Sequence, residues 1–247
     1  MENFKGKISV IIPAYNESDN ISKTIEETIR VFEEVGNKYE VIIVDDGSED
    51  NTFLEAKKAI GNNDRLKVVR CSETNRGKGF AIKSGFKHVS GDLVVFMDAD
   101  LDLHPEQIRI LFKHLKEKKA DIVIGSKRHP DSIVDYPWYR KIMSDIYYFL
   151  ILILFNLPVR DTQTGLKMFK FEPLKRAFER ILVKRFAFDL ELLLIIHKLG
   201  YKIIDAPVKL VFKPKKFRSV GLNAIFNVLW DTAAIFYRLY ILKFYKL

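Results

Sequence analysis

The 247-residue sequence has a single cysteine, Cys71, which excludes an internal disulfide framework and is typical of a reducing, cytosolic environment. It has no long hydrophobic run: the most apolar stretch, Ile146–Leu157, is too short to cross a bilayer alone. We expect that stretch to be either a core helix or a membrane-facing surface. No apolar signal segment precedes the first predicted strand, and there is no internal repeat or low-complexity linker. These absences predict a folded protein that is not exported.

The positive charge of the sequence is concentrated near its end. The formal net charge is +9, and the residues from Lys198 onward contain ten Lys and Arg against two acidic residues. The last segment, Leu222–Leu247, combines aromatic and aliphatic residues with scattered charges. It is too charged for a comfortable membrane span but suits a helix in the headgroup layer. A terminal helix packed on the core is the alternative. The basic charge also suits nucleic acid, but the apolar residues beside it favour a membrane.

Short apolar runs alternate with amphipathic stretches. The predicted strands are Ile8–Ile12, Tyr39–Val44, Leu66–Arg70, Leu93–Met97 and Asp121–Gly125. The predicted helices between them are Asn20–Val35, Asn51–Ile60, Lys78–Val89 and Pro105–Lys118. Beyond them we expect a helix over Tyr139–Leu157, a loop and strand within Asp161–Lys170, a helix over Phe186–Leu199 and a strand over Lys202–Val211. This order predicts an α/β fold with a mostly parallel sheet flanked by helices.

Two aspartates, Asp98 and Asp100, follow the buried strand Leu93–Met97 directly. In extended backbone, residues two apart project to the same side, so both carboxylates are predicted to point into one place. Ligands bind at the carboxyl ends of strands in open α/β sheets. Two adjacent carboxylates repel unless a cation lies between them, and oxygen ligands suit Mg²⁺ or Mn²⁺ bridging a diphosphate. A solvated loop with two helix-capping acids is the alternative.

Three further clusters follow other predicted strands. They are Pro13–Glu17, Val44–Ser48 and Asn75–Gly79. The first cluster has an aromatic ring, an amide and a carboxylate, which suit contact with the base and ribose of a nucleotide. In the second cluster, Gly47 permits a tight turn beside a ligand. The third places glycines and cations before a helix whose N-terminal amides favour anions, although it lacks the spacing of a P-loop. Together the four clusters predict a nucleotide diphosphate site.

In order and spacing, these motifs resemble those of the inverting GT-A (Rossmann-like) glycosyltransferases of family 2. Within that family the sequence looks most like the dolichyl-phosphate glucose and mannose synthases and their bacterial polyprenyl-phosphate relatives. The resemblance covers about residues 8–215. Its further motifs are Ile124–Ser126, Arg140–Ile142, Asp161–Gly165 with Lys167 and Phe169, and Phe188–Glu191. It implies a GT-A domain over residues 1–215 and an amphipathic, membrane-associating segment over residues 216–247.

The resemblance also implies roles for individual residues. Nucleotide binding is expected of Pro13, Tyr15, Glu17, Val44, Asp45, Asp46, Lys78, Asp98 and Ala99. Asp98, Asp100 and Asp102 are expected to ligate Mg²⁺ or Mn²⁺. The expected catalytic residues are Asp100, Lys127, Arg128, Arg140 and Asp189, with Arg140 and Arg218 binding the acceptor phosphate. The sequence departs from the family in having Asp102 where mannose synthases tend to have Gln. It also has Lys127 and then Arg128 where the family has Arg directly after Gly-Ser.

The expected function is metal-dependent, inverting transfer of a hexose, glucose in preference to mannose, from a UDP- or GDP-sugar to dolichyl or polyprenyl phosphate. An anionic lipid phosphate needs cations to position it rather than a general base. A hydroxyl acceptor on a glycan is the alternative, with Asp189 or Glu191 as the base. A non-catalytic basic protein that binds a membrane or nucleic acid is a third possibility. For the enzyme, no nucleic-acid partner is expected. The expected location is the cytoplasmic face of a membrane.

Overall fold

The computed structural model describes residues 4–135, 138–183, 187–210 and 222–245, with the side chains of all but 138–141 and 222–225. The strands are β1 Lys7–Ala14, β2 Lys38–Asp45, β3 Leu66–Arg70, β4 Leu93–Phe96, β5 Ile122–Ser126, β6 Ile133–Val134, β7 Lys167–Lys170, β8 Ile203–Pro207 and β9 Lys209–Leu210. The α-helices are α1 Ile21–Val35, α2 Thr52–Ile60, α3 Lys78–Phe86, α4 Ile108–Glu117, α5 Trp138–Phe155, α6 Phe171–Phe178, α7 Phe188–Lys198 and α8 Leu222–Phe236. A 3-10 turn, Pro105–Gln107, precedes α4, and a π-helix, Tyr237–Ile241, follows α8.

The main sheet has the strand order β3-β2-β1-β4-β7-β5-β8. All neighbouring strands are parallel except β7, which lies antiparallel between β4 and β5. The expectation of a mostly parallel sheet flanked by helices is confirmed. Because β1 has β2 and β4 as its direct neighbours, the carboxyl ends of these three strands lie side by side at one edge of the sheet.

Each face of the sheet is covered by its own hydrophobic cluster. Successive side chains of a strand point to opposite faces, so Ile11 belongs to one cluster while Val10 and Ile12 belong to the other. Helices α3, α6 and α7 contribute to the cluster that contains Ile11, and α1 and α4 cover the opposite face. The strands are therefore buried on both sides, which explains their nearly continuous apolar sequences.

The structure departs from the predicted elements in its second half. Helix α6 was not predicted; it begins directly after β7, and Pro173 is tolerated in its first turn because the N–H groups there have no helical partner. The strand predicted over Lys202–Val211 is divided into β8 and β9. Strand β8 extends the main sheet, whereas β9 pairs with β6 in a separate two-stranded sheet.

The C-terminal segment, from α8 to Tyr245, packs on the core and still exposes large apolar side chains. Ile235 and Tyr245 are buried in the cluster on the α7 side, whereas Phe226 and Trp230 are about two-thirds exposed. Within the ranges given above, no helix combines the length and hydrophobicity needed to cross a bilayer. The predicted domain boundary between residues 215 and 216 lies outside the described residues, so it stays a prediction.

Candidate active site

The clusters predicted from the sequence meet at the edge formed by β1, β2 and β4. The Asp46 amide, just after β2, donates to the carbonyl of Ala14 at the end of β1, over 3.0 Å. The Asp46 carboxylate accepts hydrogen bonds from the backbone N–H groups of Arg76, at 3.0 Å, and Gly77, at 2.6 Å. The buried Asp46 side chain therefore holds the loop before α3 against the end of β2. That loop delivers Lys78 to the site.

Lys78 and Asp98 form the ion pair at the centre of this edge, with 2.6 Å between Lys78 Nζ and Asp98 Oδ1. Partial burial acts to raise the pKa of Asp98, but Lys78, with further help from Lys167 and Lys127, holds that pKa below its usual value. Partial burial, followed by repulsion from Asp98, raises the pKa of Asp100 to about 6. The main effect that lowers this pKa is a hydrogen bond from the Asp102 amide rather than a neighbouring positive charge. The paired carboxylates thus leave uncompensated negative charge on Asp100.

A cavity of about 100 Å³ opens beside these carboxylates, and we call it the donor cavity. Its lining includes Asp98, Asp100, Asp102, Lys127, Gln163, Thr164 and Gly165. Gly165 approaches so closely that a Cβ atom added to it would lie 1.8 Å from Asp98 Oδ2. Only glycine leaves room for the Asp98 carboxylate at this position.

The residues around the donor cavity suit a divalent cation that is bound together with a substrate. Asp98 and Asp100 supply oxygen ligands, and the raised pKa of Asp100 means that its ionised form is destabilised, which a bound cation would relieve. Asp102 also lines the cavity, and its backbone N–H donates to Asp100 Oδ1 at 3.0 Å. Across the part of the chain that the structure describes, no group of three or more His, Cys, Asp or Glu residues forms a metal site by itself. Mg²⁺ is commonly held by one or two carboxylates plus substrate phosphates, which fits this arrangement.

Three of the other residues predicted to bind the nucleotide, Val44, Asp45 and Ala99, are buried. Val44 and Ala99 are buried among apolar neighbours, so only their backbone atoms remain for a ligand, and the Ala99 carbonyl already accepts from Thr24 Oγ1 at 2.7 Å. The buried Asp45 carboxylate is bound by Arg70 Nε at 2.7 Å and the Ser48 amide.

Three residues at the end of β1 are more accessible. Pro13, Tyr15 and Glu17 are partly exposed there, and the Glu17 charge is close enough to raise the pKa of Asp100. Their contact with a nucleoside stays a prediction.

The two adjacent cations after β5, Lys127 and Arg128, make different contacts. Lys127 lines the donor cavity, whereas Arg128 does not. Arg128 points to α5, where its guanidinium binds Asp145 and the Ser144 hydroxyl, and its centre lies 4.8 Å from the centroid of the Tyr148 ring. Lys127 thus lies beside Asp98 and Asp100, whereas Arg128 is held against α5; the contact of either residue with substrate stays a prediction.

Both carboxylates considered as general bases are engaged within the protein. The buried Asp189 forms a 2.6 Å ion pair with Lys167, which is also fully buried. The carboxylate of Glu191, wholly buried, accepts from the amides of Leu182, at 2.9 Å, and Val183, at 2.7 Å, and from the side chains of Arg238 and Tyr245. Neither carboxylate lines the donor cavity. The geometry therefore gives no support to a base from α7.

A second cavity lies beside the donor cavity and shares Lys127 and Gln163 with it as a common wall. Its other lining residues include Arg128, Ser144, Tyr147, Ile151, Val159 and Arg160. We call it the basic cavity. Arg160 was not singled out from the sequence, although it directly precedes the Asp161–Gly165 motif. The side chain of Arg140, and Arg218 altogether, lie outside the described residues, so their predicted role in phosphate binding stays a prediction.

Comparison with known proteins supplies a family context for this geometry. The family model described as "Glycosyl transferase family 2" matches residues 9–178. The chain is 33% identical to the dolichyl-phosphate beta-glucosyltransferase of Homo sapiens, over 76% of this chain and 62% of the human protein. Identity to the Drosophila melanogaster protein of the same name is 32%, over 82% of this chain and 66% of that protein. Identity to glycosyltransferase AglD of Haloferax volcanii is 28%, over 87% of this chain and 34% of that protein.

The chain thus spans about a third to two thirds of the length of these curated relatives. Among solved structures, the fold is similar to glucosyl-3-phosphoglycerate synthase from Mycobacterium tuberculosis, in a complex with Mn²⁺, uridine diphosphate and glucosyl-3-phosphoglycerate. The TM-score is 0.70 at 22% identity, over 94% of this chain and 79% of that chain. At this identity the likeness is one of fold.

Proposed function

Because this chain belongs to glycosyl transferase family 2, we propose that it transfers glucose from UDP-glucose to dolichyl or another polyprenyl phosphate. The relatives named dolichyl-phosphate beta-glucosyltransferase support both the sugar and the acceptor. The observation that carries the proposal is the pair of adjoining cavities, one acidic and one basic, which share Lys127 and Gln163. Such a pair suits a metal-bound donor on one side and an anionic acceptor on the other.

On the donor side, Asp98 and Asp100 would hold Mg²⁺ or Mn²⁺ together with the diphosphate. A divalent ion there would neutralise the negative charge that develops on the leaving diphosphate. Lys127, which lines the same cavity, adds a fixed positive charge for the same oxygens. Lys78 supports the site by holding Asp98 in place.

On the acceptor side, an oxygen of the lipid phosphate attacks the anomeric carbon from the face opposite the diphosphate. The new bond joins that carbon to the phosphate oxygen, while the bond to the diphosphate breaks and UDP leaves with its electrons. A phosphate monoester is already largely ionised at neutral pH, so no proton has to be removed. The engagement of Asp189 and Glu191 inside the protein agrees with an acceptor of this kind.

The apolar helices suggest how a lipid substrate reaches the site. Helix α5 borders the basic cavity through Ser144, Tyr147 and Ile151 and exposes other side chains to solvent. Its exposed large apolar side chains are Ile142, Met143, Ile146, Phe149 and Ile153, and those of the C-terminal segment include Phe226, Trp230, Tyr237, Ile241 and Phe244. We call these residues the apolar face. The two helical segments pack together, with 6.1 Å between the Phe155 and Phe236 ring centroids. We propose that the apolar face lies in the headgroup layer at the cytoplasmic side of a membrane.

The function is tested by offering radiolabelled UDP-glucose and Mn²⁺ with either dolichyl phosphate or dolichol. These acceptors have the same hydrocarbon chain and differ only in the phosphate. We expect a labelled glycolipid from dolichyl phosphate alone. Equal transfer to dolichol would overturn the lipid-phosphate proposal in favour of a hydroxyl acceptor. GDP-mannose and undecaprenyl phosphate, tested in parallel, decide the donor and the lipid.

A further inference from the structure

The loop Asp161–Gly165 carries two buried polar atoms without hydrogen-bond partners among the described residues, on two residues that line the donor cavity. Thr164 is 1% exposed, and its hydroxyl oxygen has no hydrogen-bond partner within the described part of the protein. The side-chain amide nitrogen of Gln163 is likewise buried and without a partner there. Both residues line the donor cavity beside Asp98 and Asp100. Since buried polar groups are nearly always hydrogen-bonded, these two atoms indicate a ligand that completes them.

The surrounding contacts hold this loop in a defined position. The Asp161 carboxylate accepts from the amides of Lys127 and Gln163, each at 3.1 Å. The carbonyl of Thr164 accepts from the buried ammonium of Lys167. The close approach of Gly165 to Asp98 sets the distance between the loop and the carboxylates. The unpartnered atoms are therefore held at a fixed place relative to Asp98, as a recognition site requires.

The chemistry of the two groups identifies the part of the donor that they meet. The charged groups nearby, Lys127, Asp98 and Asp100, suit a metal ion and a diphosphate. The hydroxyl of Thr164 and the amide of Gln163 are neutral hydrogen-bonding groups, which match the neutral hydroxyls of a sugar. In a nucleotide-diphosphate sugar, the hexose is joined directly to the second phosphate, so it lies next to the diphosphate.

We infer that Gln163 and Thr164 hydrogen-bond the hydroxyl groups of the donor hexose and contribute to the choice of sugar. The inference rests on the proposed function, from which it takes the donor to be a nucleotide-diphosphate sugar. Asp98 and Lys127 then bind the diphosphate, which all nucleotide-diphosphate sugars share. The Asp161–Gly165 loop binds the hexose, in which these donors differ. A site built to hydrogen-bond substrate hydroxyls rejects analogues that leave its buried polar groups unpaired.

The test compares the binding of UDP and UDP-glucose by titration calorimetry in the presence of Mn²⁺. Thr164→Val removes the hydroxyl while keeping the shape, and Gln163→Leu removes the amide. We expect each variant to bind UDP-glucose about tenfold more weakly than the wild type, with UDP affinity unchanged within about twofold. Thr164→Ser keeps the hydroxyl and should restore most of the lost affinity. Thr28→Val is the matched control, because the buried Thr28 hydroxyl donates within α1, to the Thr24 carbonyl, and Thr28 does not line the donor cavity.

Two results would overturn the inference. One is Thr164→Val binding UDP-glucose as tightly as the wild type. The other is an equal loss of UDP and UDP-glucose affinity, which marks a purely structural role. A wild-type protein that binds UDP-glucose but does not glucosylate lipid phosphate contradicts the proposed function and leaves the binding comparison valid. If the wild type prefers GDP-mannose, the same comparison is made with GDP and GDP-mannose. A wild type that binds neither UDP-glucose nor GDP-mannose contradicts the inference as well.

Discussion

Lys167 and Asp189 form an ion pair inside the protein, with 2.6 Å between Lys167 Nζ and Asp189 Oδ1 and both side chains almost fully buried. Lys167 lies on β7, the antiparallel strand of the main sheet, and Asp189 lies in the first turn of α7. Because the Lys167 ammonium also binds the carbonyl of Thr164, the pair holds a residue that lines the donor cavity. Asp189 is thus placed as a structural partner of Lys167.

The first prediction concerns the stability of this pair. Lys167→Met leaves the Asp189 carboxylate buried without its partner, so we expect the free energy of unfolding to fall by about 3–5 kcal/mol. The double variant Lys167→Met/Asp189→Leu removes both charges and should lose clearly less than the sum of the single variants. Urea unfolding of the four proteins measures this. Additive losses would show that the two charges are not coupled.

The second prediction concerns metal-dependent transfer. Asp100→Ala removes a predicted metal ligand, and we expect transfer to fall by about 10²-fold or more, as for the loss of other electrostatic groups in active sites. Treatment with EDTA should have a similar effect, and Mn²⁺ or Mg²⁺ should reverse it in the wild type only. The matched control is Asp64→Ala, because Asp64 is exposed and lies outside the donor cavity. Full turnover in EDTA would contradict a role for metal.

The third prediction is the pH dependence of stability without metal. The pKa of Asp100 is raised to about 6 in the folded protein from 3.8, by partial burial first and by Asp98 second. The folded state therefore favours the protonated acid, and the contribution of Asp100 to stability falls as pH rises from about 4 through 6. Asp100→Asn cannot ionise, so it should exceed the wild type by about 1–3 kcal/mol at pH 7 and by little below pH 4. Urea unfolding over pH 4–8 would count against this if the difference stayed constant.

The fourth prediction concerns Gly165. In Gly165→Ala the new Cβ would lie 1.8 Å from Asp98 Oδ2, so the carboxylate or the loop has to move. We expect loss of Mn²⁺-dependent UDP binding, measured by calorimetry, without unfolding of the protein. Gly36→Ala is the control: no atom lies within 4 Å of its added Cβ, and its φ of +70° brings only local strain. Unchanged UDP binding by Gly165→Ala would show that the position of Asp98 is not critical.

The fifth prediction concerns the apolar face. The double variant Ile146→Asp/Phe149→Asp places charges on the exposed side of α5, and we expect about a tenfold loss of binding to vesicles with anionic lipids. Leu54→Asp, at a similarly exposed apolar residue on α2, is the matched control and should bind like the wild type. Co-sedimentation measures both. Truncation before α8 is a poorer test, because it also removes Arg238 and Tyr245 from the buried Glu191 carboxylate.

The sequence by itself determined the elements of the first half of the fold and the place of the carboxylates. Strands β1 to β5 and helices α1 to α4 follow from local apolar periodicity, because burial on both faces of a parallel sheet leaves a strong pattern in each strand. Asp98 and Asp100 lie two and four residues after the end of β4 at Phe96, so their position at the carboxyl edge needed only that strand and its neighbours.

Tertiary structure alone decided which groups meet across long distances in the chain. The antiparallel insertion of β7 puts Lys167 against Asp189, and Glu191 binds side chains of the C-terminal segment about fifty residues away. Lys127 and Arg128 are adjacent in sequence and both line the basic cavity, yet only Lys127 also lines the donor cavity, because it lies beside Asp161 whereas Arg128 is held by α5. No local pattern encodes such pairings, since they depend on how separate elements pack. The same packing leaves the Thr164 hydroxyl and the Gln163 side-chain amide nitrogen buried without partners among the described residues, on two residues that line the donor cavity.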